Sequence, residues 1–185
     1  MKQNFSKDIL ALDCEWETEK ICSQIRSLMT KQLKKRGLVV ALSGGIDSSV
    51  SVALAAKALG PDRVVALLMP ERHSSDDTLS LSKSVAEVFG VRWFHEDISD
   101  VLQAVGFFQR YDDAVRRTVP EYGDGWKSKI VIPNVMESKG FNLFSIVAQR
   151  PDGTKVQKRL PLKAYLEIVA ATNFKQRTRK MFEYY

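Results

Sequence analysis

The stretch that decides the fold runs Leu38-Val39-Val40-Ala41-Leu42-Ser43-Gly44-Gly45-Ile46-Asp47-Ser48-Ser49. Its first five residues form a continuous apolar run rich in branched side chains, which predicts a β-strand covered on both faces. Ser43-Gly44-Gly45 then predicts a turn. The next residues have helical spacing as far as Leu59, where Gly60 ends the pattern. A strand, a glycine turn and a helix are therefore expected in direct succession.

The same alternation continues along the chain. Residues 64–68 and 91–94 are apolar strand candidates, and residues 76–89 and 98–118 have the spacing of helices. Strands that alternate with helices over short links predict a parallel sheet with right-handed crossovers. We therefore expect an α/β fold in which helices flank a parallel sheet and ligands bind at the carboxyl ends of the strands.

Other regions surround this core, which we place at residues 38–120. Residues 1–37 form an N-terminal helical segment, with helical spacing over 15–35. Residues 121–162 interrupt the rhythm, and two strand candidates, 141–149 and 154–160, are joined there by Arg150-Pro151-Asp152-Gly153. That tetrapeptide favours a hairpin turn, so we interpret the region as an insertion that contains a β-hairpin.

The last region, residues 163–185, is predicted to begin a helical substrate-binding part. Pro161 favours the start of a helix that runs to about Ala171, and Asn173 is a candidate cap for a second helix. Helical spacing continues to Tyr185 without a closing signal, so we expect the sequence to continue beyond that residue.

Composition indicates an ordinary globular protein, since 44% of the 185 residues are hydrophobic and 27% are charged. No apolar run is long enough to cross a membrane, and the first residues lack a signal-peptide core. Cys14 and Cys22 are expected on one helix, roughly 12 Å apart, which is too far for a disulfide. Reduced thiols and the missing export signal favour a cytoplasmic location.

Positive charge is concentrated in one region. The chain has a net charge of +6, and residues 150–180 hold nine Lys or Arg against two acids, Asp152 and Glu167. Such a region suits the phosphates of a small molecule or a nucleic-acid backbone. A solvated charged face explains the same composition, so both interpretations stay open.

The glycine turn has the composition of a phosphate-binding loop. Gly44 and Gly45 allow positive φ and carry no Cβ atoms, so backbone N–H groups can converge on an anion, and the following helix directs its positive end there. Three hydroxyls add donors: Ser43, Ser48 and Ser49. Asp47 would repel phosphate unless a cation lay between them, which indicates Mg²⁺ with Asp47 as its ligand. The Lys of a Walker loop is missing.

The segment Ser43-Gly44-Gly45-Ile46-Asp47-Ser48 resembles the signature of the ATP pyrophosphatases, which include NAD, GMP and asparagine synthetases and tRNA-modifying enzymes. These enzymes cleave ATP to AMP and pyrophosphate while they activate a carbonyl oxygen as an adenylate. The resemblance implies an adenine nucleotide alpha-hydrolase-like fold and catalytic roles for Asp47 and Ser48. It also implies an ATP site at Ala41, Leu42, Ser43, Gly44, Gly45, Asp47, Ser48 and Ser49.

Two further stretches resemble NAD synthetases. Met69-Pro70-Glu71-Arg72-His73-Ser74-Ser75-Asp76 is similar to the segment after their second strand, which implies adenine contacts at Leu68 and Met69. The stretch 172–179, followed by Tyr184, resembles their Asn-x-Lys/Gln-Ala-Arg-x-Arg helix. That resemblance implies deamido-NAD and ammonia as substrates, and a homodimer to which the N-terminal helix with Trp16 could contribute. The implied substrate-binding residues are Asn173, Lys175, Arg177, Arg179 and Tyr184.

Departures from that family leave alternatives open. Gln176 replaces the usual Ala, and the later Gly-Thr-x-x-x-x-Glu metal segment and Lys-x-Gly-Asp-Gly loop do not occur in these 185 residues. Residues 121–162 are also longer than the corresponding part of compact bacterial members. The first alternative is another ATP pyrophosphatase that acts on a different carboxylate or a nucleobase carbonyl.

A nucleic-acid-binding module ranks lower, because no recognition motif accompanies the basic region. The two histidines, His73 and His95, lack the neighbours of a zinc site, which favours structural roles for both.

Overall fold

The computed structural model describes residues 11–132 and 144–185. The chain divides into two units. One consists of Met1–Pro70 and Ser74–Glu96, and the other consists of Glu71–His73 and Asp97–Tyr185. We call them the first and the second unit. No described helix is both long and apolar enough to span a membrane.

The first unit contains the predicted parallel sheet. Its strands are β1 (Leu38–Ala41), β2 (Val64–Leu68) and β3 (Arg92–His95), in the order β1-β2-β3. Helix α2 (Ile46–Leu59) connects β1 to β2, and helix α3 (Asp76–Val88) lies between β2 and β3 in sequence. Both strand pairs are parallel. The predicted α/β fold, with a parallel sheet flanked by helices, is confirmed.

Burial differs between the central and outer strands of this sheet. On β2, Val64, Ala66 and Leu68 are almost completely buried, in a core that also contains Val52 of α2. On β1, however, Val39 is 46% exposed. The expectation that β1 is covered on both faces is therefore wrong for the face that carries Val39. An apolar run indicates what a strand can bury, but β1 lies at the edge of the described sheet.

The helical spacing over residues 15–35 corresponds to helix in the structure; residues 1–10 lie outside the described residues. Helix α1 (Cys14–Ser27) is capped by Asp13, whose carboxylate accepts a hydrogen bond from the Trp16 backbone N–H at 3.0 Å. The helix continues as a π-helical turn over Leu28–Leu33 and ends at Lys34 in a left-handed conformation. Both cysteines are free thiols, as expected, and Cys22 is completely buried.

In the second unit, the helix predicted over 98–118 is divided in two. Helix α4 is Ser99–Ala104 and helix α5 is Phe107–Arg116. Gly106, between them, has a φ of +69° and donates its backbone N–H to the carbonyl of Gln103, which ends α4. The prediction of one helix is wrong at this glycine because its left-handed conformation redirects the chain.

The predicted hairpin is part of a three-stranded antiparallel sheet. Strands β5 (Ser145–Gln149) and β6 (Lys155–Arg159) are joined by the expected turn, where the Arg150 N–H donates to the carbonyl of Thr154 at 2.8 Å. Strand β4 (Lys127–Val131) pairs with β5 and was not predicted, because only its last two residues are apolar. The predicted hairpin is therefore confirmed, and β4 adds a third strand to it. Residues 141–143 of the predicted first strand lie outside the described residues.

The second unit ends with helix α6 (Leu162–Tyr184), which has 23 residues. The predicted end near Ala171 and the cap at Asn173 are wrong. Thr172 donates its hydroxyl to the Ile168 carbonyl at 2.8 Å, and Ala171 and Thr178 are both buried, so core contacts continue past Asn173. Other core residues of the unit come from α5, the sheet and the loops between them: Ala114, Val115, Val119, Tyr122, Ile146, Ala148 and Leu160.

Candidate active site

The loop between β1 and α2 is where the sequence predicts an anion nest. Gly45 caps α2 without a side-chain hydrogen bond, so the first N–H groups of the helix have no helical acceptor and no cap. These groups, together with the positive end of the helix, favour a bound phosphate. The loop lies at the carboxyl end of β1, where ligands of parallel sheets bind.

Hydroxyl groups hold this loop in shape. The Ser43 N–H donates to Ser48 Oγ at 3.2 Å, and the Ser43 and Ser48 hydroxyls lie 3.1 Å apart. Ser48 Oγ also donates to the Gly45 carbonyl at 3.0 Å. Ser49 Oγ donates to the same carbonyl at 2.9 Å. The structure therefore brings Ser43, Ser48 and Ser49 together around one turn, and Ser48 connects the two ends of the loop.

Gly44 is required by both its conformation and its surroundings. Its φ is +71°, and a Cβ atom built on it would lie 2.7 Å from Leu81 Cβ and 3.1 Å from the Ser82 backbone nitrogen, both of α3. Ser82 is buried, and its hydroxyl lies 2.7 Å from the Thr78 carbonyl of α3 and 3.3 Å from the Leu42 carbonyl. Sequence reasoning anticipated the glycine but not its contact with α3, because that helix begins about 30 residues later.

Asp47 lies in the first turn of α2 with an exposed side chain, and no described residue forms an ion pair with it. The described residues contain no cluster of three or more His, Cys, Asp or Glu that could hold a metal alone. Mg²⁺ commonly binds proteins through one or two carboxylates together with substrate phosphates. A single free carboxylate beside a phosphate nest fits that mode of binding.

The predicted adenine-contacting residues lie at the end of β2, beside β1, the strand that leads into the nest. The Leu42 N–H donates to the Leu67 carbonyl at 2.9 Å, so the ends of β1 and β2 are adjacent. Leu68 and Met69 are both buried. The Leu68 carbonyl accepts the Glu96 N–H at 2.9 Å. The structure therefore places Ala41, Leu42, Leu68 and Met69 side by side at one edge of the sheet.

The second unit contains a buried carboxylate that the sequence analysis did not single out. Glu71 Oε1 accepts a hydrogen bond from Lys175 Nζ of α6 at 2.7 Å, and Glu71 Oε2 accepts the His73 backbone N–H at 2.8 Å. Burial raises the pKa of Glu71, but the His73 N–H and the Lys175 ammonium outweigh it, so the pKa lies below its ordinary value. The signal available in the sequence was an acid three residues after the end of a buried strand.

Aromatic rings surround the same pair. His73 stacks edge-on against Phe108 with ring centroids 5.1 Å apart, and the Lys175 ammonium lies 5.7 Å from the centroid of the Phe107 ring. The structural role expected for His73 agrees with this packing. Lys175, which was expected to bind substrate, forms an ion pair with a buried carboxylate of its own chain.

The remaining predicted substrate residues lie along α6. Asn173, Arg177 and Tyr184 are exposed, and Tyr184 is 88% exposed. The helical repeat places these three on one side of α6, whereas Lys175 and Arg179 lie on another side and are half-buried. The structure thus separates the five residues into two groups on one helix.

Comparison with known proteins identifies the family. A family model described as NAD synthase matches residues 17–122, more than half of the chain. An NH(3)-dependent NAD(+) synthetase of Rhizobium meliloti (strain 1021) is 51% identical over 181 residues, which cover 98% of this chain and 54% of that protein. The corresponding protein of Mesorhizobium japonicum is 49% identical over 177 residues, covering 96% of this chain and 56% of that protein.

Among solved structures, the NH3-dependent NAD synthetase from Campylobacter jejuni has a TM-score of 0.48 and 28% identity, covering 54% of this chain and 48% of that one. The chain spans about half the length of the curated relatives it matches. The family model covers the parallel sheet, the nest and the segment after β2. The chain belongs to the NAD synthase family.

Proposed function

We propose that this chain carries the ATP-binding part of a ligase that forms C–N bonds. In this proposal the enzyme adenylates deamido-NAD, transfers ammonia to the activated carbonyl, and releases AMP and pyrophosphate. The observation that carries the proposal is the nest at residues 43–49, present at the carboxyl end of β1 in a chain of the NAD synthase family. Its relatives are named NH(3)-dependent NAD(+) synthetases.

The reaction divides into two substitutions. A carboxylate oxygen of the substrate attacks the α-phosphorus of ATP, the bond from that phosphorus to the bridging oxygen of the β-phosphate breaks, and pyrophosphate leaves. Ammonia then attacks the carbonyl carbon of the adenylate, the added nitrogen loses a proton to solvent, and AMP leaves with the electron pair of the broken C–O bond. The first N–H groups of α2 would bind the negative charge that develops on pyrophosphate. Because binding and charge stabilisation do most of the work, the reaction needs little acid–base chemistry from the protein.

Four residues of the nest have a role in this scheme. Gly44 and Gly45 let the backbone approach the phosphates, and Ser48 keeps the loop in its binding conformation through its hydrogen bonds with Ser43 and Gly45. Asp47 would hold Mg²⁺ together with phosphate oxygens, and the ion would neutralise phosphate charge. The ends of β1 and β2, at Ala41, Leu42, Leu68 and Met69, would contact the nucleoside of ATP.

For the second substrate we propose contacts from α6. The exposed residues Asn173, Arg177 and Tyr184 have the polar, cationic and aromatic groups that a dinucleotide requires. Arg179 would assist from its half-buried position. The ion pair with Glu71 supports a positioning role for Lys175, because its charge is already balanced inside the protein.

The proposed organisation follows from these roles. Residues 38–120 are the ATP-pyrophosphatase core, residues 121–162 an insertion, and residues 163–185 the start of the substrate-binding helical region. The end of the family match at residue 122 supports the insertion boundary. Residues 1–37 would contribute to a homodimer, which the 60% exposure of Trp16 supports. Free thiols support a cytoplasmic location.

The test is ATP-dependent AMP release by the full chain with Mg²⁺, ammonia and deamido-NAD. We expect deamido-NAD to stimulate AMP release more than other carboxylates, and Asp47→Asn to reduce that release by about 100-fold, typical for loss of an electrostatic contact at the reacting group. The matched control is Asp62→Asn, which removes an exposed acid of the same unit outside the nest. Release that is stimulated by another carboxylate but not by deamido-NAD would favour the alternative ATP pyrophosphatase activity.

A further inference from the structure

One face of the antiparallel sheet in the second unit carries several cations. Strand pairing aligns Lys127 with Gln149 and Gln149 with Lys155, so these three side chains form a row across the sheet. Lys129 follows Lys127 on the same face, two residues along β4. The opposite face contains Ile146 and Ala148, which are completely buried, so the lysine-bearing face points away from the core. We call this surface, with Lys127, Lys129, Lys155 and Arg159, the basic sheet face.

The charge of this face is not neutralised within the described part of the chain. Strands β4, β5 and β6 contain no acidic residue. The acid of the adjoining turn, Asp152, directs its carboxylate to the Thr154 backbone N–H at 2.8 Å. Lys158, on the other face, pairs with Glu121 at 3.6 Å, whereas no described residue forms an ion pair with Lys127, Lys129 or Lys155. Three neighbouring ammonium groups thus face solvent without a counter-charge from residues 11–132 or 144–185.

A shallow depression lies in the middle of these charges. It has a volume of about 200 Å³ and is lined by Lys127, Ser128, Lys129, Val147, Gln149 and Lys155. Pockets for drug-sized ligands measure roughly 300–1,000 Å³, so this one suits a smaller group. Its lining contains no aromatic ring on which a nucleobase could stack, and base stacking is a common part of single-strand recognition.

We propose that the basic sheet face binds a small free oligophosphate, of the size of pyrophosphate, through Lys127, Lys129 and Lys155. Each ammonium offers three donors and a full positive charge to phosphate oxygens, and the Gln149 amide offers a further donor. A nucleic-acid strand would need a longer cationic path and stacking groups, so the small anion fits these observations better. The site is separate from the nest and does not depend on the proposed ligase activity.

The experiment is a titration of the ¹⁵N-labelled full chain with pyrophosphate, without divalent cations and at constant ionic strength. We expect saturable amide shifts at residues 127–129, 147–149 and 155, in addition to any shifts at the nest. The variant K127Q/K129Q/K155Q should weaken binding at the sheet about tenfold, as expected for three exposed charged contacts. Its shifts at residues 43–49 should match those of the wild type.

Two matched variants complete the design. K127R/K129R/K155R keeps the charge and should retain binding at the sheet. K31Q/K35Q/K57Q removes three exposed lysines from the first unit and should leave binding at the sheet unchanged. The proposal is overturned if sheet shifts are missing, if chloride at equal ionic strength reproduces them, or if K127Q/K129Q/K155Q binds like the wild type. If affinity for single-stranded oligonucleotides rises with strand length, and the shifts reach Arg159, the ligand of this face is a nucleic-acid backbone and not a small anion.

Discussion

The two units of this chain hold their candidate functional groups in different ways. In the first unit, the nest consists mainly of backbone N–H groups, and the hydrogen bonds that shape it join residues at most five positions apart. In the second unit, Lys175 is held by Glu71, a residue 104 positions earlier in the chain. The comparison shows that a site built from local backbone geometry leaves a readable motif, whereas a site built from a distant ion pair does not.

The largest effect is expected from a substitution that disrupts the backbone geometry of the nest in the first unit. Gly44→Val adds a Cβ atom at a φ of +71°, within 2.7 Å of Leu81 Cβ, so the loop must change its conformation. Such backbone strain costs about 1–3 kcal/mol, before the clash with α3 is counted. We expect ATP affinity to fall by about 100-fold or more, which isothermal titration calorimetry would measure.

The matched control for this variant is Gly90→Ala. Gly90 also has a positive φ, +64°, but a Cβ atom there would lie in ordinary contact, 3.9 Å from Pro61 Cβ. This variant should lose about 1 kcal/mol of stability and keep its ATP affinity. Equal loss of ATP affinity in both variants would show that the nest depends on general stability and not on the space at Gly44.

The next effect concerns the ion pair of the second unit. Glu71→Gln removes the charge that Lys175 Nζ contacts at 2.7 Å, on a side chain that is almost completely buried. A charged hydrogen bond contributes about 1.5–3 kcal/mol, so we expect the free energy of unfolding of this unit to fall by about 2 kcal/mol. Urea denaturation followed through the fluorescence of Trp126, in a W16F/W93F background that removes the two tryptophans of the first unit, would measure it. Glu121→Gln, at the exposed pair with Lys158, should change it much less, because solvent screens that pair.

We also expect Glu71→Gln to change how the free energy of unfolding depends on pH. The pKa of Glu71 lies below its ordinary value of 4.5 in the folded chain. Its stabilising contribution is therefore fully present above the unfolded pKa and is lost as pH falls through the folded pKa. The difference in unfolding free energy between wild type and Glu71→Gln should shrink as pH falls from neutral to below 4.5. A difference that stayed constant down to pH 3 would contradict an ionised Glu71 in this contact.

The smallest expected effect comes from a comparison that distinguishes the roles of two neighbouring hydroxyls of the nest. Ser48→Ala removes the acceptor of the Ser43 N–H and the connection between the two ends of the loop. Ser49→Ala removes only a hydrogen bond to the Gly45 carbonyl, which the Ser49 N–H also contacts at 3.0 Å. One neutral hydrogen bond contributes about 1 kcal/mol. Ser48→Ala should weaken ATP binding by about fivefold to tenfold, and Ser49→Ala should leave it within about twofold.

Much of the first unit could be predicted from the sequence because its signals are local. The order of strands and helices, the glycine turn and the hydroxyls around it follow from periodicity and residue type within about 25 residues. What could not be predicted was how completely other elements cover the faces of β1, as the exposed Val39 shows. Burial on a strand face depends on elements that come from elsewhere in the chain.

The second unit was less predictable for a related reason. Strand β4 has the sequence Lys-Ser-Lys-Ile-Val, with polar residues at three of five positions, and only its pairing with β5 makes it a strand. Asn173 has the local properties of a helix cap, but buried contacts on both sides of it keep the helix intact. In each case tertiary packing decided against the local preference.

The unbroken course of α6 determines how its exposed residues can move. At a rise of 1.5 Å per residue, a helix of 23 residues is about 35 Å long. Its first half is fixed by Ala164, Ile168 and Ala171 in the core. A hinge at Asn173 would have let Arg177 and Tyr184 turn together relative to the first half of the helix. Because the helix is continuous, these two residues keep a fixed position relative to that half, and an incoming ligand would meet them as a rigid template.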